Sequence, residues 1–208
     1  DSCLVGSEMC IRDRLKIYKL ARKLLFLLPP EQSQNISHFF LKLFSGLYKS
    51  KQTHLFVKGL RVKNRLGLAA GLDKNARLIN EFDNIGFGFV EVGTITPKAQ
   101  YGNPKPRIKR LISHESSLNS LGFPNEGVRS IKSRLKKVSG DICLGVNIGP
   151  NKDTVPEEVI NDYLLCYEEV FEYADFVTIN ISSPNTPNLR SLHNIENFKA
   201  VINAILSE

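Results

Sequence analysis

The stretch Ile142-Cys-Leu-Gly-Val-Asn-Ile148, followed by Pro156–Tyr173 and then Phe176-Val-Thr-Ile-Asn-Ile181, decides the fold. The outer two segments are short runs rich in Val and Ile, which read as buried strands. The segment between them reads as a helix. A strand, a crossover helix and a second strand lie parallel, because the helix carries the chain back along the sheet.

The same alternation extends in both directions. Upstream, Gly67-Leu-Ala-Ala-Gly71 reads as a strand entering a loop, and Ala76–Asn84 as a helix that Gly86 can cap. Phe89-Val-Glu-Val92 is a strand, and an excursion rich in Pro, Gly and Lys runs to Arg110 before a helix over Asn125–Val138. Downstream, a last helix begins near Ile195. Ahead of these units, Leu55–Val57 and Leu60–Val62 form a short hairpin around Gly59. Four strand-helix units therefore occupy residues 66–208, whereas a closed eight-unit barrel takes about 250 residues. The expected fold is α/β, the first half of a (β/α)8 TIM barrel over residues 51–208. A doubly wound domain is the competing architecture, but no GxGxxG opens the first helix.

Residues 13–50 read as a separate helical hairpin. Ile17, Leu20, Ala21, Leu24, Leu27 and Leu28 fall on one helical face, with Lys16, Lys19 and Lys23 on another. Pro29-Pro30 ends this helix, and Pro30 suits the first turn of the next. The second helix carries Ile36, Phe39, Phe40, Leu43, Phe44 and Leu47 on one stripe. Such stripes either pack on the main domain or lie on a membrane. Residues 1–12, DSCLVGSEMCIR, have no periodicity and are expected to be a non-native leader outside the fold.

The net charge of +7 is concentrated early: 13 Lys and Arg stand between Arg12 and Arg65 against Asp13 and Glu31. No nucleic-acid-binding motif accompanies them, so an anionic membrane surface suits them better. The apolar run Leu24–Leu28 is far too short to span a bilayer. The four cysteines (3, 10, 143 and 166) and four histidines show no metal-ligand spacing, and Cys143 suits a core position.

Polar residues close the strands on the face where barrel enzymes place their sites. Ala69-Ala70-Gly71-Leu72-Asp73-Lys74 follows the first strand; its small residues admit a flat ligand and Lys74 can meet an anion. Gly93-Thr94, Asn147 and Asn180 end the next three, offering donors and acceptors without charge. Asn180-Ile-Ser-Ser-Pro-Asn-Thr-Pro-Asn188 is the most specific loop. Its prolines hold Ser183 and Thr186 extended, as a simple turn or as a preorganised site.

Gly67-Leu-Ala-Ala-Gly-Leu-Asp-Lys74, Glu91-Val-Gly-Thr94, Asn147-Ile-Gly149 and Asn180-Ile-Ser-Ser-Pro-Asn-Thr-Pro187, in this order, resemble successive motifs of the dihydroorotate dehydrogenases. The similarity runs from about residue 14 to the end. Ser183 stands where class 2, quinone-dependent members have a serine base and class 1 members a cysteine. The resemblance implies oxidation of dihydroorotate to orotate with FMN and a membrane quinone, in pyrimidine (UMP) biosynthesis. It implies Ser183 as the base that takes the C5 proton while a hydride leaves C6, with Thr186 as proton relay. Ala70, Gly71, Lys74, Thr94, Asn147 and Asn180 would contact FMN. Lys74, Asn119, Ser120, Leu121, Gly122, Phe123, Asn180 and Asn185 would contact the substrate. Residues 13–50 would bind the quinone and sit peripherally on the cytoplasmic face of the inner membrane.

Two departures stand out. The loop Asn119-Ser-Leu-Gly-Phe-Pro-Asn125 has Ser120 and Pro124 where the family usually has Arg and Asn. The family's later strands, with a second flavin-contacting Lys and phosphate-binding glycine loops, are not in this sequence. Two further readings remain: another FMN barrel acting on a related dihydropyrimidine, or an inactive half-barrel that holds no stoichiometric flavin and has aggregation-prone strand edges.

Overall fold

The structure, a computed structural model, describes residues 18–48, 53–181 and 195–207. In chain order, a helix over residues 18–26 (α1) and helix α2 (Pro30–Phe44) precede the hairpin β1 (Leu55–Val57) and β2 (Leu60–Val62). Then come β3 (Gly67–Leu68), α3 (Ile79–Asn84), β4 (Phe89–Ile95), β5 (Ile108–Leu111), β6 (Ser116–Asn119) and α4 (Val128–Leu135). Strand β7 (Cys143–Ile148), α5 (Val159–Val170), β8 (Phe176–Ile179) and α6 (Ile195–Leu206) complete the series.

Strands β3, β4, β7 and β8 form one parallel sheet in that order. Each parallel strand lies beside its predecessor in the chain, with no reversal of direction. A doubly wound sheet reverses at its switch point, so the order is that of a barrel sector. Every residue of β7 is buried, as a strand covered on both faces requires. Val90 and Val92 of β4 and Val146 and Ile148 of β7 meet Val128, Ile131 and Leu135 of α4 and Tyr163, Cys166 and Val170 of α5. The helical partners recur every three or four residues, which keeps one stripe on the sheet. Cys143 is buried too, and burial pushes its thiol up to about 11.

The first barrel helix is shorter than its sequence pattern. The Asp73 carboxylate accepts from Arg77 N–H at 2.9 Å and Leu78 N–H at 2.7 Å, and Ala76 takes a left-handed conformation, φ +53°. Residues 71–78 are thereby wound as a loop, and α3 begins only at Ile79. Helix α4 likewise starts at Val128 rather than Asn125. Asn125 pairs with Gln100 through both backbone groups, and its side-chain oxygen accepts from Gly127 N–H at 2.8 Å. The excursion between β4 and α4 contains an antiparallel hairpin, β5–β6, where the sequence reads only as a loop. All four β6 residues are exposed, so no apolar alternation marks the strand.

Helices α1 and α2 follow the sequence pattern, with Pro30 in the first turn of α2. Phe39, Phe40, Leu43, Phe44 and Leu47 are exposed, Phe39 at 65%. The Phe40 and Phe44 rings stack at 6.1 Å. No helix among the described residues is long and apolar enough to cross a membrane.

Candidate active site

The C-terminal ends of β3, β4, β7 and β8 open onto a cavity of about 420 Å³. Its volume lies within the roughly 300–1,000 Å³ usual for small-molecule sites. Strand pleating builds one wall. Val90 and Val92 point into the core, so Glu91 and Gly93, on the opposite face, line the cavity.

Four polar side chains form a single network there. Thr94 Oγ1 donates to Asn147 Oδ1 at 2.6 Å, and Asn147 Nδ2 donates to Glu91 Oε1 at 2.9 Å. Asn180 Nδ2 reaches Thr94 Oγ1 at 2.9 Å and Asn147 Oδ1 at 3.1 Å. The buried Tyr163 hydroxyl of α5 donates to the Asn180 carbonyl oxygen at 2.7 Å, anchoring the chain where β8 ends.

The floor is made of small residues. Gly71 adopts φ +108°, and a Cβ placed there would meet nothing within 4 Å. Lys74 Nζ donates to the Gly71 carbonyl oxygen. Burial lowers the Lys74 pKa and the nearby Arg107 adds to this, while Glu31 and Asp73 oppose it. The opposite wall is the segment after β6. Gln100 Nε2 donates to the carbonyl oxygens of Gly122 and Phe123, both at 3.1 Å, and fixes its turn.

Ala70, Gly71, Lys74, Thr94, Asn119, Leu121, Gly122, Phe123, Asn147 and Asn180 all line this cavity. Ser120 does not; its backbone faces away, with its N–H on Arg107 O at 2.9 Å and its carbonyl oxygen accepting from Asn103 Nδ2 at 2.8 Å. Ser183, Asn185 and Thr186 lie outside the described residues. Ala69 and Gly93 of the strand-end motifs line it as well, and the structure adds Glu91 and Pro124. A carboxylate inside the otherwise apolar run Phe89–Val92 is the signal that marks Glu91. Among the described residues no cluster of His, Cys, Asp or Glu could hold a metal.

A second cavity, of about 630 Å³, lies between the helical pair and the β5–β6 hairpin. Tyr18, Ala21, Leu25 and Phe26 face Ile108, Arg110 and Ile112 across it. The Arg110 guanidinium sits 4.4 Å from the Phe26 ring centroid and donates to Leu28 O at 2.8 Å.

Residues 53–208 match the sequence profile of the family described as "Dihydroorotate dehydrogenase". A relative from Pseudomonas syringae pv. syringae (strain B728a), named "Dihydroorotate dehydrogenase (quinone)", is 46% identical over 196 residues, covering 91% of this chain and 57% of the relative. One of the same name from Marinomonas sp. (strain MWYL1) is 51% identical over 185 residues, covering 85% and 53%. The chain thus spans about half the length of the curated relatives it matches. The crystal structure of DHODH from Eimeria tenella in complex with ferulenol superposes with a TM-score of 0.76 at 38% identity, over 86% of this chain and 50% of that one. With the profile spanning most of its length, the chain belongs to the dihydroorotate dehydrogenase family.

Proposed function

We propose that the protein carrying this chain oxidises dihydroorotate to orotate with FMN and delivers the electrons to a membrane quinone, a step of pyrimidine (UMP) biosynthesis. The observation that carries the reading is the convergence of ten expected flavin and substrate residues on one cavity at the strand ends. FMN suits the residues present: Ala69, Ala70 and Gly71 leave open space for a planar ring, and Thr94, Asn147 and Asn180 offer uncharged donors and acceptors for its polar edge. When bound, FMN supplies the two-electron acceptor for the hydride lost by the substrate.

The chain's own residues do the rest. Lys74 supplies positive charge for the substrate carboxylate, and its lowered pKa reflects the desolvated position in which that charge acts most strongly. Asn119, Asn180 and Asn185 hold the pyrimidine ring, with Leu121 and Gly122 shaping the pocket. Phe123 covers the site and excludes water. Ser183 takes the C5 proton, and Thr186 passes it on. The loss of the arginine usual at position 120 is compatible with this, because the Ser120 backbone turns away from the cavity.

Residues 13–50 form the quinone and membrane unit. The quinone enters the 630 Å³ cavity, whose aromatic and aliphatic walls suit an apolar ring and whose Arg110 can meet a carbonyl. The exposed Phe39–Leu47 stripe lies on the lipid, with Lys19, Lys23 and Lys42 toward phosphates, peripherally on the cytoplasmic face of the inner membrane.

The test uses the complete gene product. It should purify with flavin and form orotate in a quinone-dependent assay. Ser183→Ala should keep the flavin and lose at least about 100-fold in orotate formation. Turnover of another dihydropyrimidine without quinone, and none of dihydroorotate, would replace this reading with that of a different FMN barrel.

A further inference from the structure

Helix α2 reaches the candidate active site through one largely covered arginine. Arg107, just before β5, keeps only 9% of its side chain exposed. Its Nε and Nη2 both donate to Glu31 Oε1 in the first turn of α2, at 3.0 and 2.7 Å. Nη1 donates to the carbonyl oxygens of Tyr101 and, at 3.2 Å, Asn103. The Arg107 carbonyl oxygen in turn accepts the Ser120 N–H at 2.9 Å.

Asn103 completes the lock. Its N–H donates to Leu121 O at 2.9 Å and its side chain to Ser120 O at 2.8 Å. The same guanidinium thus grips the helix on one side and, on the other, the backbone that holds the 119–124 loop against the cavity. A planar fork with several donors is suited to that task, and a lysine's single point charge is not. A second tether joins α2 to the loop that forms the cavity floor, where Gln34 Nε2 donates to Leu72 O at 3.0 Å, beside Gly71 and Lys74.

We infer that Arg107 is a positioning residue: with Glu31 it ties the docking of helix α2 to the geometry of the 119–124 loop, and so to the affinity of the site for substrate. The inference rests on the function proposed above. Arg107 does not line the cavity; it acts through the loop. The α2 helix then has two tasks: it forms part of the quinone unit and completes the pyrimidine site from outside the barrel.

The test compares Glu31→Gln and Arg107→Lys with wild type in the complete gene product. Each keeps the side chain's approximate size and removes either the carboxylate or the fork. The KM for dihydroorotate and the Kd for orotate should rise about tenfold, the value of one lost charged hydrogen bond. The kcat with saturating substrate should stay within about twofold. Hydrogen exchange should accelerate across 119–124 as well as in α2, and Glu31→Asp, which keeps a carboxylate for the fork, should retain much of the affinity that Glu31→Gln loses. Faster exchange in α2 alone, with loop exchange and orotate affinity unchanged, overturns the inference. A wild-type protein that neither binds orotate nor forms it defeats the proposed function instead. In that case the exchange pattern still decides whether α2 holds the loop.

Discussion

The side-chain amide of Asn180, at the end of β8, donates to Thr94 Oγ1 of β4 at 2.9 Å and thereby reaches across the end of β7. Asn147 of β7 takes part from the middle, accepting from both and donating to Glu91. Three strands and one carboxylate share one hydrogen-bond network. Glu91 accepts only, so it sets which end of the Asn147 amide faces it.

Asn147→Asp tests that polarity. It sets a second carboxylate against Glu91 and removes the donor between them. Like charges in contact raise the carboxylate pKa values of the pair in the folded state. The variant should lose about 2 kcal/mol at neutral pH and regain part of it as the pH falls, because the folded state then binds more protons than the unfolded. Urea midpoints at about pH 7 and pH 5 measure this; an unchanged gap from wild type removes Glu91 from its role.

Gly93 and Gly71 should respond differently to alanine. A Cβ on Gly93 would lie 2.4 Å from the Asn147 carbonyl oxygen, at φ +111°. Gly93→Ala should cost about 2–4 kcal/mol, since a strained backbone and a backbone clash add. Gly71→Ala meets open space, so its cost is the positive φ alone, about 1 kcal/mol. Its added methyl occupies the proposed flavin floor, and flavin affinity should fall more than stability does. Thermal melts with a flavin titration separate the two.

Lys63 is buried beneath the hairpin, 2.6 Å from Asp83 and 3.1 Å from Asp141. Burial alone lowers its pKa, but the two carboxylates outweigh this and raise it above 10.5. The Lys63 hydrogen bond holds Asp141 below its usual 3.8. Lys63→Met leaves Asp83 under-paired and should cost about 3 kcal/mol. The Lys63 contribution is complete below its unfolded pKa and is lost as the pH climbs through the folded value. The Asp141 contribution is complete above its unfolded pKa and is lost as the pH falls through the folded one. The gap between wild type and variant should therefore stay constant at intermediate pH and close at both extremes in denaturant titrations.

His38 of α2 has a buried Nε2 with no hydrogen-bond partner among the described residues. Burial lowers its pKa below 6.5; Asp73 opposes this and Lys74 adds to it. Below about pH 6.5 the unfolded state takes up the proton first, so folded stability falls with pH until the folded pKa is passed. His38→Leu should abolish that slope and add about 1 kcal/mol by removing the unsatisfied atom. Stability curves over that range would expose the error if the slope persisted.

Much of the fold was legible because its strands differ from their surroundings in composition. Cys143–Ile148 is apolar except for Asn147 at its cavity end, as suits a doubly covered strand, and the Pro29-Pro30 break divides the first two helices at the level of residue type. Helix ends were less legible. Ala76 carries no signal of its left-handed conformation, which depends on Asp73 capping Arg77 and Leu78. Strand β6 was hidden because Ser116–Asn119 is exposed and pairs with β5 without an apolar face to bury.

The sequence by itself determined the alternation of strand and helix, the polar residues at the strand ends and the family. The first two follow from local composition and order along the chain, and the family from the ordered motifs that resemble those of its members. Only the tertiary structure decided that Glu91 enters the site, that Ser120 turns its backbone out of it, and that Arg107 ties α2 to the loop beside the cavity. Each depends on which way a backbone faces or on residues far apart in sequence, with Glu31 and Arg107 separated by 76 positions. Such contacts form once the packing of β4, β5 and α2 brings their partners within hydrogen-bond reach.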